Sequence, residues 1–148
     1  MALLVALSIL SAEVDIGRDN SFKAYMDYRT LTAVGTEQVR LQKSAWTDTD
    51  GYRRFGANRY MIALGTYYAD RAGELCTVVF EDGTSIKCIV GDIKADEHTD
   101  ATNRYRKVNE AKGCIVEFIV DADAICHETK MLGDCSVKFP GKVAAIVK

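Results

Sequence analysis

Leu75 to Val90 reads LCTVVFEDGTSIKCIV, two β-branched and aromatic runs held apart by Glu81-Asp82-Gly83. Such runs around an Asp-Gly turn are the sequence form of a β-hairpin, because Gly tolerates the positive φ that tight hairpin turns demand. A two-residue turn at Asp82-Gly83 sets Cys76 opposite Ile89. A three-residue loop sets Cys76 opposite Cys88 instead, where a disulfide is geometrically open. Reduced thiols packing as small apolar groups are the other reading.

Working outward, Tyr60 to Leu64, Cys114 to Val120 and Val143 to Val147 are similar short runs bounded by Gly or Asp. Strands at this spacing predict a mainly β domain, a small barrel, over residues 52–148. The polar turn cluster Thr47-Asp48-Thr49-Asp50-Gly51 predicts a boundary with an N-terminal attachment over residues 1–51. Within that attachment, Asn20-Ser21 predicts the cap of a short helix through Phe22, Tyr25 and Met26, extending as far as Leu31. Thr36 to Ala45 predicts a second short helical or extended segment. Met1 to Ala12 is an apolar run too short to span a bilayer, and reads either as a clipped signal segment or as a buried strand. Localisation stays open on these residues.

The 148 residues are 48% hydrophobic and 27% charged, the profile of a globular domain with a real core. A net charge of −2 excludes the strongly basic face of a dedicated nucleic-acid binder. A single proline and the lack of like-charge blocks exclude collagen-like and disordered classes. The five cysteines, Cys76, Cys88, Cys114, Cys126 and Cys135, include no CxxC or CxxH spacing, so no structural zinc site is expected.

The chemistry concentrates in Gly91-Asp92-Ile93-Lys94-Ala95-Asp96-Glu97-His98-Thr99-Asp100, which follows an apolar strand. Downstream, CIVEFIVD places Glu117 inside an apolar run, and strand alternation puts it on one face with Ile115 and Ile119. A carboxyl flanked by Ile is partly desolvated, which raises its pKa and suits it to general acid catalysis. The plain alternative has Asp92 capping a turn, Asp96 to Asp100 forming a solvated loop and Glu117 facing solvent from an edge strand. A third reading places a hard cation or zinc on Asp92, Asp96, His98 and Asp100. No other cofactor is called for.

Ala63-Leu64-Gly65-Thr66-Tyr67-Tyr68, the Asp82-Gly83 hairpin, Gly91-Asp92 and Cys114 to Val120, taken in order, resemble a known family. They are similar to the double-psi β-barrel domains of bacterial cell-wall enzymes, the group that includes the three-aspartate domain of lytic transglycosylases. The resemblance spans roughly residues 60 to 121, and Ser21 to Gly51 resembles the leader region of Gram-positive and phage-associated proteins. It implies a six-stranded double-psi barrel with a short, partly helical N-terminal attachment, at a cell envelope or on a phage particle. It further implies cleavage of peptidoglycan with no metal, Glu117 as proton donor and Asp92 as its charged partner. Tyr67 and Tyr68 then either stack on a sugar ring or simply pack within the barrel, with Asp96, His98 and Asp100 beside the substrate. The chain departs from the family in two places: Ile93-Lys94-Ala95-Asp96 stands where Thr-Gly and a glycine-rich turn are usual, and Glu117 stands where an aspartate is usual. The same barrel without chemistry, binding glycan or a protein partner, is the competing expectation.

Overall fold

A computed structural model describes residues 11–13, 20–109 and 112–148. The chain is mainly β. Strands β1 (Ser11–Glu13), β2 (Tyr25–Asp27), β3 (Trp46–Thr47), β4 (Arg53–Phe55), β5 (Arg59–Gly65), β6 (Leu75–Phe80), β7 (Ser85–Lys94), β10 (Glu117–Val120) and β11 (Val143–Val147) belong to one sheet. Its main path runs β1-β11-β6-β7-β5-β10-β2, with β4 and then β3 branching from β5. β8 (Arg106–Asn109) and β9 (Lys112–Cys114) form a separate antiparallel pair. Helices α1 (Glu37–Ser44) and α2 (His127–Leu132) and the 3₁₀ turns Tyr28–Thr30, Asp96–His98 and Cys135–Val137 are the described helical segments. Among the described residues no helix is long and apolar enough to cross a membrane.

The β6–β7 hairpin has the three-residue loop. Cys76 pairs with Cys88 and Val79 with Ser85, while the Phe80 N–H donates to the Thr84 carbonyl at 2.8 Å. Gly83 takes φ 88°, and the Asp82 carboxylate accepts from both the N–H and the hydroxyl of Thr84, which closes the turn. The facing cysteines are nevertheless free thiols, as all five are, and all but Cys126 are buried. Burial pushes the Cys76 thiol up to about 11 and the Cys135 thiol up to about 12, whereas a hydrogen bond with the Thr129 side chain lowers that of Cys126. A disulfide reagent at neutral pH should therefore label Cys126 alone in the folded protein and all five thiols after denaturation. Rapid labelling of a second thiol would contradict this packing.

Alternation sorts the strands onto two faces. Ile62, Leu64, Val78, Cys88, Val90, Phe118, Val120 and Ile146 enter one large core cluster. Met61, Ile89 and Ile119, one residue out of phase, enter a second cluster that Leu41 of α1 covers, together with Met26, Tyr28 and Phe55. Each fully buried side chain of this size contributes about 1.5–3 kcal/mol.

Three expectations change. The segment at Asn20-Ser21 is extended rather than helical. Its carbonyls are taken by distant donors, Asn20 by the Val143 N–H at 3.1 Å, Lys23 by Cys135 at 2.7 Å and Ala24 by Phe118 at 2.9 Å. β2 then pairs parallel with β10, so long-range ladder bonds outweigh local helix propensity. The division at Gly51 is crossed by the same sheet, since β3 pairs with β4 and β2 with β10. The Cys114 to Val120 run is broken, with β9 ending at Cys114 and β10 starting at Glu117. Ile115 consequently joins the large core cluster instead of sharing a face with Glu117. The second N-terminal segment is helical, α1, where the Thr36 hydroxyl caps the Val39 N–H. Met1 to Leu10, most of the segment read as a signal or strand, lie outside the described residues, and Ser11–Glu13 pair with β11.

Candidate functional site

Ala63 of β5 sits between two carboxylates. It pairs with Asp92 of β7 on one side and with Glu117 of β10 on the other. Residues directly opposite in a sheet share a face, so the two acids flank one methyl group, with backbones two strand spacings, roughly 10 Å, apart.

Asp92 reaches this row through an irregularity. Val90 pairs with Ile62, and the register shifts so that Ala63 meets Asp92, skipping Gly91. Without that register shift Gly91 would oppose Ala63, and alternation from Val90 would turn Asp92 into the large core. The bulge re-aims it onto the face of Ala63. Gly91 also passes close to the second cluster, where a Cβ would lie 2.5 Å from Ile119 Cδ1.

The two acids form part of the wall of an open cavity of about 500 Å³, lined by Met26, Asp92, Ile93, Lys94, Ala95, His98, Arg106, Lys107 and Glu117. Asp92 is half-buried. Burial raises its carboxyl above the usual aspartate range, outweighing a 3.4 Å hydrogen bond from the Gln38 side-chain amide, and the nearby Glu117 charge adds to the rise. Glu117 is more enclosed, at 8% exposure, and its Oε2 accepts from the Arg106 guanidinium at 2.6 Å. Lys94, two residues beyond Asp92 on β7, is also buried, and its Nζ donates to the Ile115 carbonyl at 2.9 Å.

The local setting of Glu117 thus differs from the apolar flank expected of it, because its partner is a guanidinium. Removing that partner should strand a buried carboxylate. Arg106→Ala is expected to destabilise the fold by about 1–3 kcal/mol, and the double variant with Glu117→Gln should recover most of the loss in a thermal melt. An Arg106→Ala melt identical to wild type would show that the ion pair does not contribute.

The other expected site residues are dispersed. Tyr68 is 2% exposed and belongs to the large core, which removes it from any sugar-stacking surface. Tyr67 is exposed, edge-on to Tyr68 and 4.0 Å beneath the Arg104 guanidinium, and neither tyrosine lines the cavity. Asp96 accepts from the Thr66 hydroxyl at 2.6 Å, tying the 3₁₀ turn Asp96–His98 to the end of β5. Asp100 accepts from the N–H groups of Arg104 and Tyr105, both at 3.2 Å, and so shapes the loop that leads into Arg106. Both acids organise loops rather than line the cavity. His98 does line it, on an exposed rim. Among the described residues no three His, Cys, Asp or Glu side chains converge as a metal site.

Lys94, Arg106, Lys107 and Gln38 were not among the expected site residues. Lys94 had a signal, its i+2 relation to Asp92. Gln38 and Arg106 had none, since only folding brings α1 and the β8 loop to β7 and β10. Comparison of the chain with protein-family models, curated proteins and solved structures finds no match in any of the three.

Proposed function

We propose that this protein is a glycan-cleaving domain of the lytic transglycosylase type acting on peptidoglycan, with Asp92 as the proton-transferring acid. The observation that carries the reading is the Asp92 carboxyl itself: half-buried, raised in pKa, and facing a second carboxylate across Ala63 in an open cavity.

The chemistry needs one acid that works in both directions. Protonated Asp92 gives its proton to the glycosidic oxygen as the bond from that oxygen to C1 breaks. The resulting carboxylate takes the proton of the sugar's own 6-hydroxyl, whose oxygen closes onto C1. The proton count is restored and no water is consumed, so the second catalytic carboxylate of an inverting hydrolase is unnecessary. In this reading Glu117, hydrogen-bonded to Arg106, is the partner carboxylate that offsets positive character at C1. The roles of the two acids are thereby exchanged relative to the sequence-based expectation, because Arg106 attends Glu117 while burial dominates at Asp92.

The double-psi barrel is part of the same proposal. Two parallel pairings, β5 with β7 and β10 with β2, support it. So does the Val143 N–H bond to Asn20, which links the segment before β2 to β11, near the other end of the sheet path.

Incubation of the protein with purified peptidoglycan is expected to release muropeptides ending in 1,6-anhydro sugars, read by mass spectrometry. Reducing-end products would instead indicate hydrolysis. Binding without turnover would make the barrel a non-catalytic envelope or phage-particle module.

A further inference from the structure

Among the described residues, the Asp92 carboxyl takes a side-chain hydrogen bond from one partner, the Gln38 amide, whose Nε2 donates to Oδ1 at 3.4 Å. The placement of that amide is built into the fold. Gln38, Leu41 and Gln42 stand at i, i+3 and i+4 on α1, which is one face of the helix. Leu41 is buried against Met61, Ile89 and Ile119. Gln42 is clamped twice by Arg53, whose Nε donates to its side-chain oxygen and whose Nη2 donates to its backbone carbonyl, both at 3.0 Å. Asp92 itself lines two cavities, the one it shares with Glu117 and a smaller one of about 180 Å³ between Thr30 to Ala33 and the first turn of α1. Gln38 lines the smaller and not the larger. Its amide therefore holds Oδ1 on the α1 side, and Oδ2 is the oxygen left to the cavity of Glu117.

We propose that Gln38 is a positioning residue that fixes which oxygen of Asp92 carries the transferable proton. An amide N–H bonds to Oδ1 of the carboxylate, and it bonds equally to Oδ1 as the carbonyl oxygen of the neutral acid. In both states the donor keeps a proton off Oδ1, so the proton of the acid sits on Oδ2, facing the cavity shared with Glu117. The choice of side chain matters. A lysine at this place would hold Asp92 ionised, and a second carboxyl would compete for the proton at Oδ1. A neutral donor does neither, which suits an acid that both gives and takes a proton. The other ionisable groups that face Asp92 across the larger cavity are Glu117 on β10, Lys94 on β7, Arg106 and Lys107 on β8, and His98 in its 3₁₀ turn. This inference rests on the glycan-cleaving reading for what the proton does, and on the Gln38 bond for where it sits.

The test uses the full chain carrying Gln38→Met, which keeps the side-chain length and removes the donor, or Gln38→Glu, which replaces the donor by a second acid. Thermal melts check that both variants fold. Carbon-13 NMR of the aspartate carboxyls, with Asp92→Asn identifying the resonance, follows Asp92 without any substrate. Loss of a donor to the charged form raises proton affinity. The Asp92 midpoint should therefore rise by about half a pH unit in Gln38→Met and by about one pH unit or more in Gln38→Glu. With solubilised peptidoglycan strands, kcat of Gln38→Met should fall about three- to thirtyfold at unchanged KM, and the descending limb of its pH profile should move up with the midpoint. An unmoved midpoint in both variants, wild-type kcat in both, or a kcat loss without the matching move of the pH profile would overturn the proposal. Midpoints that rise as expected, in a protein whose wild type cleaves no peptidoglycan, would overturn the glycan-cleaving reading and uphold the placement of the proton.

Discussion

Asp92→Asn should abolish release of anhydro-muropeptides, by at least about 10²-fold, while the protein becomes more stable at neutral pH. The first effect follows from removing the one group that, in the proposed mechanism, exchanges the proton. The second follows from linkage. Burial raises the Asp92 carboxyl above its unfolded value, so between the unfolded and folded pKa values the native state binds more protons than the unfolded state. Stability attributable to this group is then full below the unfolded pKa and is lost as pH rises through the folded pKa. Asparagine removes that loss. The thermal midpoint of Asp92→Asn should therefore exceed wild type above the folded pKa, and the difference should vanish at low pH. Activity should follow the same titration, with kcat/KM of the wild type falling as pH rises and Asp92 loses the proton it must donate. Full activity in Asp92→Asn would sink the assignment, and loss in Glu117→Gln alone would return the donor role to Glu117. A neutral-pH midpoint below wild type would contradict the desolvation argument.

Gly65→Ala should cause the larger structural loss. A Cβ at Gly65 would lie 2.1 Å from the Asn103 carbonyl oxygen and 3.0 Å from its carbon. Both are backbone atoms, so no rotamer change relieves the clash. Asn103 is itself at φ 56°, and its carbonyl accepts from the Tyr67 N–H at 3.3 Å. The loop that must yield runs directly into Arg106, whose guanidinium holds Glu117. We expect a cost of about 1–3 kcal/mol, a fall in Tm of roughly 3–10 °C, and weakened glycan binding from the displaced Arg106 and Lys107. A calorimetric midpoint equal to wild type would show that the loop moves aside freely.

Strands whose identity depends on local pattern were legible. Leu75 to Phe80 and Val143 to Val147 form as expected, because β-branched and aromatic runs between turn residues leave little alternative. The hairpin left a choice between two loop lengths, and the Asp82 bonds to Thr84 accompany the longer one. Segments whose backbone partners are remote were misread. Asn20-Ser21 looks like a helix cap, yet the carbonyls around it are satisfied by Val143, Cys135 and Phe118, all more than ninety positions away. The same limit governs the site. Asp92 and Glu117 stood out as acids beside apolar strands, but their neighbours did not.

The sequence by itself determined that this is a mainly β domain, and that its acids gather at and just beyond the apolar run ending at Val90. Only the tertiary structure decided what surrounds each acid. A one-residue bulge at Gly91 turns Asp92 out of the core and opposite Ala63, and the β8 loop delivers Arg106 to Glu117. The physical reason is that alternation and turn propensity are local, written within a few residues of where they act. Desolvation and charge pairing depend on which distant side chains arrive, and no local pattern encodes that.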